Sequence, residues 1–270
     1  MQNWRLDDLI SSRSGDEKLA NSLSLIQPRT TTGTLASSDG FDSAELYQFM
    51  QIFHQNIDKT ITGSEEFPGK MLNSRKDRVS LPDYIYELLV KYYNDSYDDL
   101  NFVTIAGFDP SESKEQIIVS PIVNQFGRIR IAAEIFGSIF APKYRRSSNI
   151  LAKFIQDNET IDTYPGQVQF YFKHTIQLPI GAKTHQLAFV KWHLFAPSQK
   201  IRFHCGIDND DTSCNVELWK YDFFELSRDA IMPIHNIYSR FLSSKFIVGS
   251  RQKNKVTYMA VIPINRQFHL

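Results

Sequence analysis

Four side chains of this 270-residue chain have the chemistry of a zinc ligand set: His193, His204, Cys205 and Cys214 bring imidazoles and thiols together within 22 residues. Their spacing forms no Cys-x-x-Cys or His-x-x-x-His pair, and His204 and Cys205, adjacent on a strand, would point to opposite faces. Strand residues in or near a core are the stronger reading, and no cofactor is expected. Asp208, Asn209, Asp210 and Asp211 imitate the start of an EF-hand loop. Such a loop would need Asp, Gly and Glu where Thr212, Ser213 and Trp219 stand. A polar hairpin turn accounts for them instead. No Gly-x-Ser-x-Gly elbow, no phosphate-cradling glycine motif and no separated carboxylates suited to a two-metal nuclease occur. The expectation is a non-catalytic protein with no evident small-molecule substrate.

Basic residues are the remaining chemical signal. Arg128 and Arg130 alternate on one predicted strand, Lys143, Arg145 and Arg146 surround Tyr144, and Arg251, Lys253 and Lys255 share a predicted hairpin turn. From Ser227 to Leu270 seven basic side chains face one acid, Asp229. The chain total is neutral, 30 Lys and Arg against 30 Asp and Glu, but it divides at residue 115. Residues 1–115 hold 11 bases and 19 acids, net −8, leaving 19 bases and 11 acids, net +8, in residues 116–270. A basic half of this kind could neutralise the phosphates of DNA or meet a chromatin-associated protein. It could equally pair with the acidic half, within one chain or between chains, as a scaffolding module, or be a solvated face.

The elements that must position these residues divide the same way, and the fold class expected is α+β. Residues 1–40, rich in Ser, Thr and Gly, are expected to be a disordered tail. Residues 41–100 form an acidic helical section with two short amphipathic helices. Asp42 and Glu45 cap the first, whose stripe is Leu46, Phe49, Met50, Phe53 and Ile57. A surface loop over 60–79, containing TGSEEFPGK, leads to the second, with Ser80 as its cap and Ile85, Leu88, Leu89, Tyr92 and Tyr93 as its buried stripe. Asp95, Asp98 and Asp99 are read as a solvated exit loop. From residue 101 to 270 the pattern becomes alternating and aromatic, with turn residues about every ten positions. This predicts antiparallel strands closing a small barrel-like sheet, with KIRFHCGI among them. Val168, Phe170 and Phe172 are predicted to share one face, with Gln167, Gln169, Tyr171 and Lys173 on the other. Ala188, Val190, Trp192 and Leu194 are the predicted core face of the next strand. The longest weakly charged stretch, Ile129 to Pro142, contains Glu134 and is too short to span a membrane, and residues 1–23 lack the apolar core of an export signal.

Several blocks resemble the region that follows the catalytic core of CACTA-like transposases encoded by fungal transposons. These are ISSRSGDEKLANSLSLIQPRTTTGTL, TGSEEFPGKML, SLPDYIYELLVKYYN, GRIRIAAEIFGS, SNILAKFI, YPGQVQFYFKHT, HQLAFVKWHLF, CNVELWKYDFFELSRD, IMPIHNIYSRF and YMAVIPINRQFHL. They run in order along nearly the whole chain. The resemblance implies a nuclear accessory module of a transposon-derived protein; the RNase H-like catalytic domain of that family has no counterpart in these residues. GQVQFYFKHT, LAFVKWHLF, VELWKYDFF and IMPIHNIYSRF are also similar, in strand order and aromatic content, to small chromatin-reader barrels of the bromo-adjacent-homology kind. The resulting expectation is a module binding DNA or a chromatin-associated protein through its basic β half. A protein-interaction module and a zinc-stabilised or zinc-dependent protein are the second and third readings.

Overall fold

The computed structural model describes residues 61–67, 69–97, 99–112, 115–131, 134–155, 161–202, 216–249 and 255–264. All belong to the unit Gln48–Asn265. The predicted tail, the first predicted helix and the predicted turn at 208–211 lie outside the described residues. In chain order the elements are β1 (Gly69–Ser80), α1 (Asp83–Ser96), β2 (Asn101–Val103), β3 (Gln116–Ile118), β4 (Ile122–Ile131), β5 (Glu134–Phe136) and a 3-10 turn (Pro142–Ser148). There follow β6 (Asn149–Ile155), β7 (Ile161–Leu178), β8 (Gly181–Phe195), α2 (Gln199–Arg202), β9 (Glu217–Phe223), β10 (Ile231–Pro233), β11 (Ile237–Val248) and β12 (Val256–Pro263).

The sheet is mostly antiparallel. Ten strands pair in the order β1-β4-β7-β6-β11-β12-β9-β8-β10, with β5 on β4; β2 and β3 form a separate parallel pair. Because β7 also pairs with β8, the pairings β7–β6–β11–β12–β9–β8 return to β7.

Three expectations about boundaries are corrected. Residues 69–80 are a strand rather than part of a loop, so the β structure begins well before residue 101. Only Met71 of this strand is a buried apolar residue among those whose side chains are described, and charged residues crowd the rest. That composition suits an edge strand, which β1 is, but hides the alternation a strand usually shows. Ser80 does not cap α1; Pro82 stands at the cap position with no side-chain hydrogen bond. Ser80 is still in register with Ile122, and Leu81 donates its N–H to the Pro121 carbonyl, so the chain leaves the sheet too late for Ser80 to reach the helix. Finally, Lys200, Ile201 and Arg202 lie in α2, so KIRFHCGI is not a continuous strand. The TGSEE part of the predicted loop is a turn. Glu65 accepts the N–H groups of Thr62 and Gly63, Gly63 has φ 83°, and its carbonyl accepts from Gln186 of β8.

The long hairpin of β7 and β8 is covered on both faces. Phe170, Phe172, Ile176 and Leu178 of β7 with Leu187 and Phe189 of β8 cluster with Ile85, Leu88, Leu89, Tyr92 and Tyr93, the predicted stripe of α1. Val168, Tyr171, Ala188, Val190 and Trp192 cluster on the other side with Ile129, Ile150, Ala152, Met232 and Ile237. The register explains how one strand serves two cores. Val168 faces Val190 and Phe170 faces Phe189, so Gln169 is an extra residue and the facing alternation reverses there. Val168 therefore does not share a face with Phe170 and Phe172, and Tyr171 is fully buried rather than on a polar face, its hydroxyl donating to the Gly137 carbonyl at 3.1 Å. Likewise Leu187 and Phe189 are as buried as Ala188 and Val190.

Under α1 the hairpin carries two polar side chains that burial would penalise without partners. His174 and His185 are cross-strand neighbours. The Tyr93 hydroxyl donates to His174 Nδ1 at 2.7 Å, and His174 Nε2 donates to the Ser120 carbonyl at 2.9 Å. The Tyr97 hydroxyl sits 2.8 Å from His185 Nε2. Burial pushes both imidazoles down to about 4, and does the same to His193 at the other end of β8. Each is neutral when folded but binds a proton near its ordinary value of 6.5 when unfolded. Their stabilisation is therefore complete above pH 6.5 and lost as pH falls toward 4. Urea denaturation is expected to show stability dropping across this window, with each histidine contributing a slope of up to about 1.4 kcal/mol per pH unit. Replacing His185 with Gln should make the profile shallower by about one proton; an unchanged slope would refute the buried neutral imidazole.

Candidate cationic surface

Two blocks of the sequence, GRIRI and PKYRRSS, meet on one side of the sheet. In β4, Val123, Gln125, Gly127, Ile129 and Ile131 are buried, so the alternate positions Arg128 and Arg130 turn outward, Arg128 half-buried and Arg130 exposed. The register with β1 sets Lys70 directly opposite Arg130 and Leu72 opposite Arg128. Directly paired residues share a face, so two like charges stand side by side, an arrangement that costs a few tenths of a kcal/mol or more in water.

The 3-10 turn is brought to the same place by its approach segment. Ser138 Oγ donates to the Gly127 carbonyl at 2.7 Å, Ile139 and Phe140 donate their N–H groups to Val168 and Gln169 of β7, and Gly137 donates to the Ser147 carbonyl at 3.0 Å. Gly137 must be glycine for this. A methyl group there would overlap the Tyr144 carbonyl oxygen and lie 2.6 Å from Tyr144 Cβ and 2.7 Å from Ser147 Oγ. With the turn seated, the Arg128 guanidinium lies 4.3 Å from the centre of the Tyr144 ring. Lys143, Arg145 and Arg146 are exposed around it. The predicted residues Arg128, Arg130, Lys143, Arg145 and Arg146 thus occupy one neighbourhood, joined by Lys70. Lys70 lies in the segment whose residues predict a loop, and no sequence signal marks it as the partner of Arg130.

Three arginines of the β section are paired. Arg202 bridges Asp162 and Glu217, Arg240 is 3.5 Å from Glu134, and Arg228 holds Asp95 of α1 at 2.9 Å. Asp95, expected in a solvated exit loop, is therefore within the helix and ion-paired. Among the described residues none of Lys70, Arg128, Arg130, Lys143, Arg145 and Arg146 pairs with a carboxylate.

The remaining predicted site residues do not join this surface. Lys255 is exposed just before β12, and three strands separate β12 from β4 in either direction around the pairings. Arg251 and Lys253, in the connection of the β11–β12 hairpin, lie outside the described residues, as do His204, Cys205 and Cys214. His193 is buried, its ring 4.5 Å from that of Phe223. Among the described residues no three His, Cys, Asp or Glu side chains are grouped so as to hold a metal ion, and no helix is long and apolar enough to cross a membrane.

Replacing Gly137 with Ala is expected to cost about 1–3 kcal/mol in urea denaturation, as an overpacked site does, and to free the turn from β4. Native-state hydrogen exchange should then show loss of protection at the amides of residue 137 and Tyr144, which donate to the Ser147 and Ala141 carbonyls; protection equal to that of the unaltered protein would refute the close approach. No protein-family model, no curated protein and no solved structure matches the chain.

Proposed function

We propose that the chain is a non-catalytic accessory module of a transposon-derived protein that works in the nucleus and binds DNA through Lys70, Arg128, Arg130, Lys143, Arg145 and Arg146. The observation that carries this reading is the like-charged pair Lys70 and Arg130, set next to a second group of cations without carboxylate partners. Cations left side by side against their own repulsion suit an anion that spans them, and a phosphate backbone supplies one every few ångströms. Arg128 stacked on Tyr144 adds a planar aromatic group to the same surface, which a base or sugar could meet. The closed circuit of pairings from β7 back to β7 supports a barrel-like body behind this surface. An acidic chromatin-associated protein would use the same charges, and the salt dependence on DNA separates the two.

Fluorescence anisotropy with a duplex oligonucleotide at increasing salt tests the proposal. With four to six phosphates contacted, log K should fall with log salt at a slope of about −4 to −5, roughly 0.9 per phosphate. Arg145→Ala combined with Arg146→Ala should weaken binding several-fold for any sequence and make the slope shallower by about two. Binding unaffected by salt, or by these substitutions, would overturn it.

A second reading has one observation in its favour. Asp95 of the acidic section is ion-paired to Arg228 of the basic section, as a scaffold built by pairing of its own halves would be. That reading expects association of chains at low salt without DNA, and a monomer by sedimentation there would remove its intermolecular form.

A further inference from the structure

Beyond α1's hairpin partners, at the open end of the β7–β8 hairpin, β7, β8, β9 and α2 build a site with the chemistry of guanidinium recognition. Asp162 receives two parallel hydrogen bonds from Arg202, at 3.0 and 3.1 Å, and Glu217 receives a third, from Arg202 Nε at 2.7 Å. The guanidinium carbon lies 4.7 Å from the centre of the Trp219 ring, which stacks on Phe195 at 5.0 Å. Trp219 Nε1 donates to Glu217 at 2.9 Å, fixing the carboxylate that faces the cation. A planar fork of donors between two carboxylates and over a ring suits arginine; an ammonium group could not make the parallel pair.

The present occupant is held on a short tether. Arg202 ends a helix of four residues, fastened at its start by the N–H groups of Ile201 and Arg202 to the Ser198 carbonyl. At its rim, among the described residues, Phe195 is 39% and Phe224 38% exposed, their rings 5.5 Å apart, and Asp222 and Glu225 are exposed beside Phe224. We propose that this site binds an arginine side chain of a partner polypeptide, and that Arg202 occupies it as an internal substitute which the partner's arginine displaces. The exchange replaces one guanidinium by another, so the hydrogen bonds to Asp162 and Glu217 and the contact with Trp219 are conserved, while the release of α2, with the other contacts of Arg202, and the cost of association oppose binding. The exposed aromatic rim and its acids are then available to residues flanking the incoming arginine. This site is independent of the cationic surface and neither proposal needs the other.

The test is titration of the full chain with a short peptide bearing one arginine, and with its lysine counterpart, followed by the NMR resonance of the Trp219 indole N–H. The unaltered protein should bind the arginine peptide weakly and saturably, moving that resonance. Arg202→Gln should bind it about tenfold more tightly, as expected when an internal competitor is removed, and should prefer arginine over lysine. Adding Asp162→Asn, which removes the carboxylate that accepts the parallel pair, should abolish the preference. Should Arg202→Gln fail to fold, the titration of the unaltered protein decides: no movement of the Trp219 resonance at saturating peptide overturns the proposal. Equal affinity for the lysine and arginine peptides, or a folded Arg202→Gln that binds no more tightly than the unaltered protein, overturns it as well.

Discussion

The arrangement depends on one requirement: the β7–β8 hairpin has apolar side chains on both faces and must bury both. Each large side chain sheltered there contributes on the order of 1.5–3 kcal/mol, so neither face can be left to water. Helix α1 covers one face with Tyr92, Tyr93, Leu88 and Leu89, and strands β4, β6, β10 and β11 contribute to the cluster on the other. The extra residue Gln169 makes this possible by reversing the alternation, so that Val168 joins the second cluster while Phe170 and Phe172 stay under the helix. The histidines under α1 are tolerated because tyrosine hydroxyls, Tyr93 from the helix and Tyr97 from its C-cap, meet one ring nitrogen of each.

The cationic surface is supported by the same hairpin. β4 pairs with β7 through Asn124, Gln125 and Phe126, and the segment leading to the 3-10 turn donates to β7 at Val168 and at Gln169, the residue where the alternation reverses. One strand thus fixes both sequence blocks that carry the arginines. Tyr171 completes the link, buried and bonded to the carbonyl of Gly137, the residue whose missing side chain admits the turn.

Much of this was legible in the sequence. The apolar stripe of α1 has the spacing of one helical face, and all five of its predicted members are buried. The antiparallel β-rich second half follows from alternation and turn residues. What could not be read has physical causes. β1 is an edge strand whose charges mask its period, so Lys70 was hidden with it. The bulge at Gln169 leaves no mark in residue types, since glutamine fits a regular strand as well, and Gln167 and Lys173 on either side of it continue an apparently regular polar alternation through the slip. Arg128 and Arg130 were identifiable as outward cations by alternation alone, whereas their meeting with Lys143, Arg145 and Arg146 required knowing that Gly137 lets two backbones approach. The paired cations Arg202, Arg228 and Arg240 look no different in sequence from the exposed ones; only their partners Asp162, Glu217, Asp95 and Glu134, distant along the chain, distinguish them.

The neutral total charge therefore conceals arginines satisfied within the fold, Arg202, Arg228 and Arg240, beside cations without carboxylate partners among the described residues. The central claim is that six of the latter, Lys70, Arg128, Arg130, Lys143, Arg145 and Arg146, form a single anion-binding surface. Hydrogen exchange with and without duplex DNA at low salt tests it most directly. The account predicts added protection concentrated in residues 122–131 and 137–148 and at the start of β1. Protection confined to other segments, or none at saturating DNA, would contradict it.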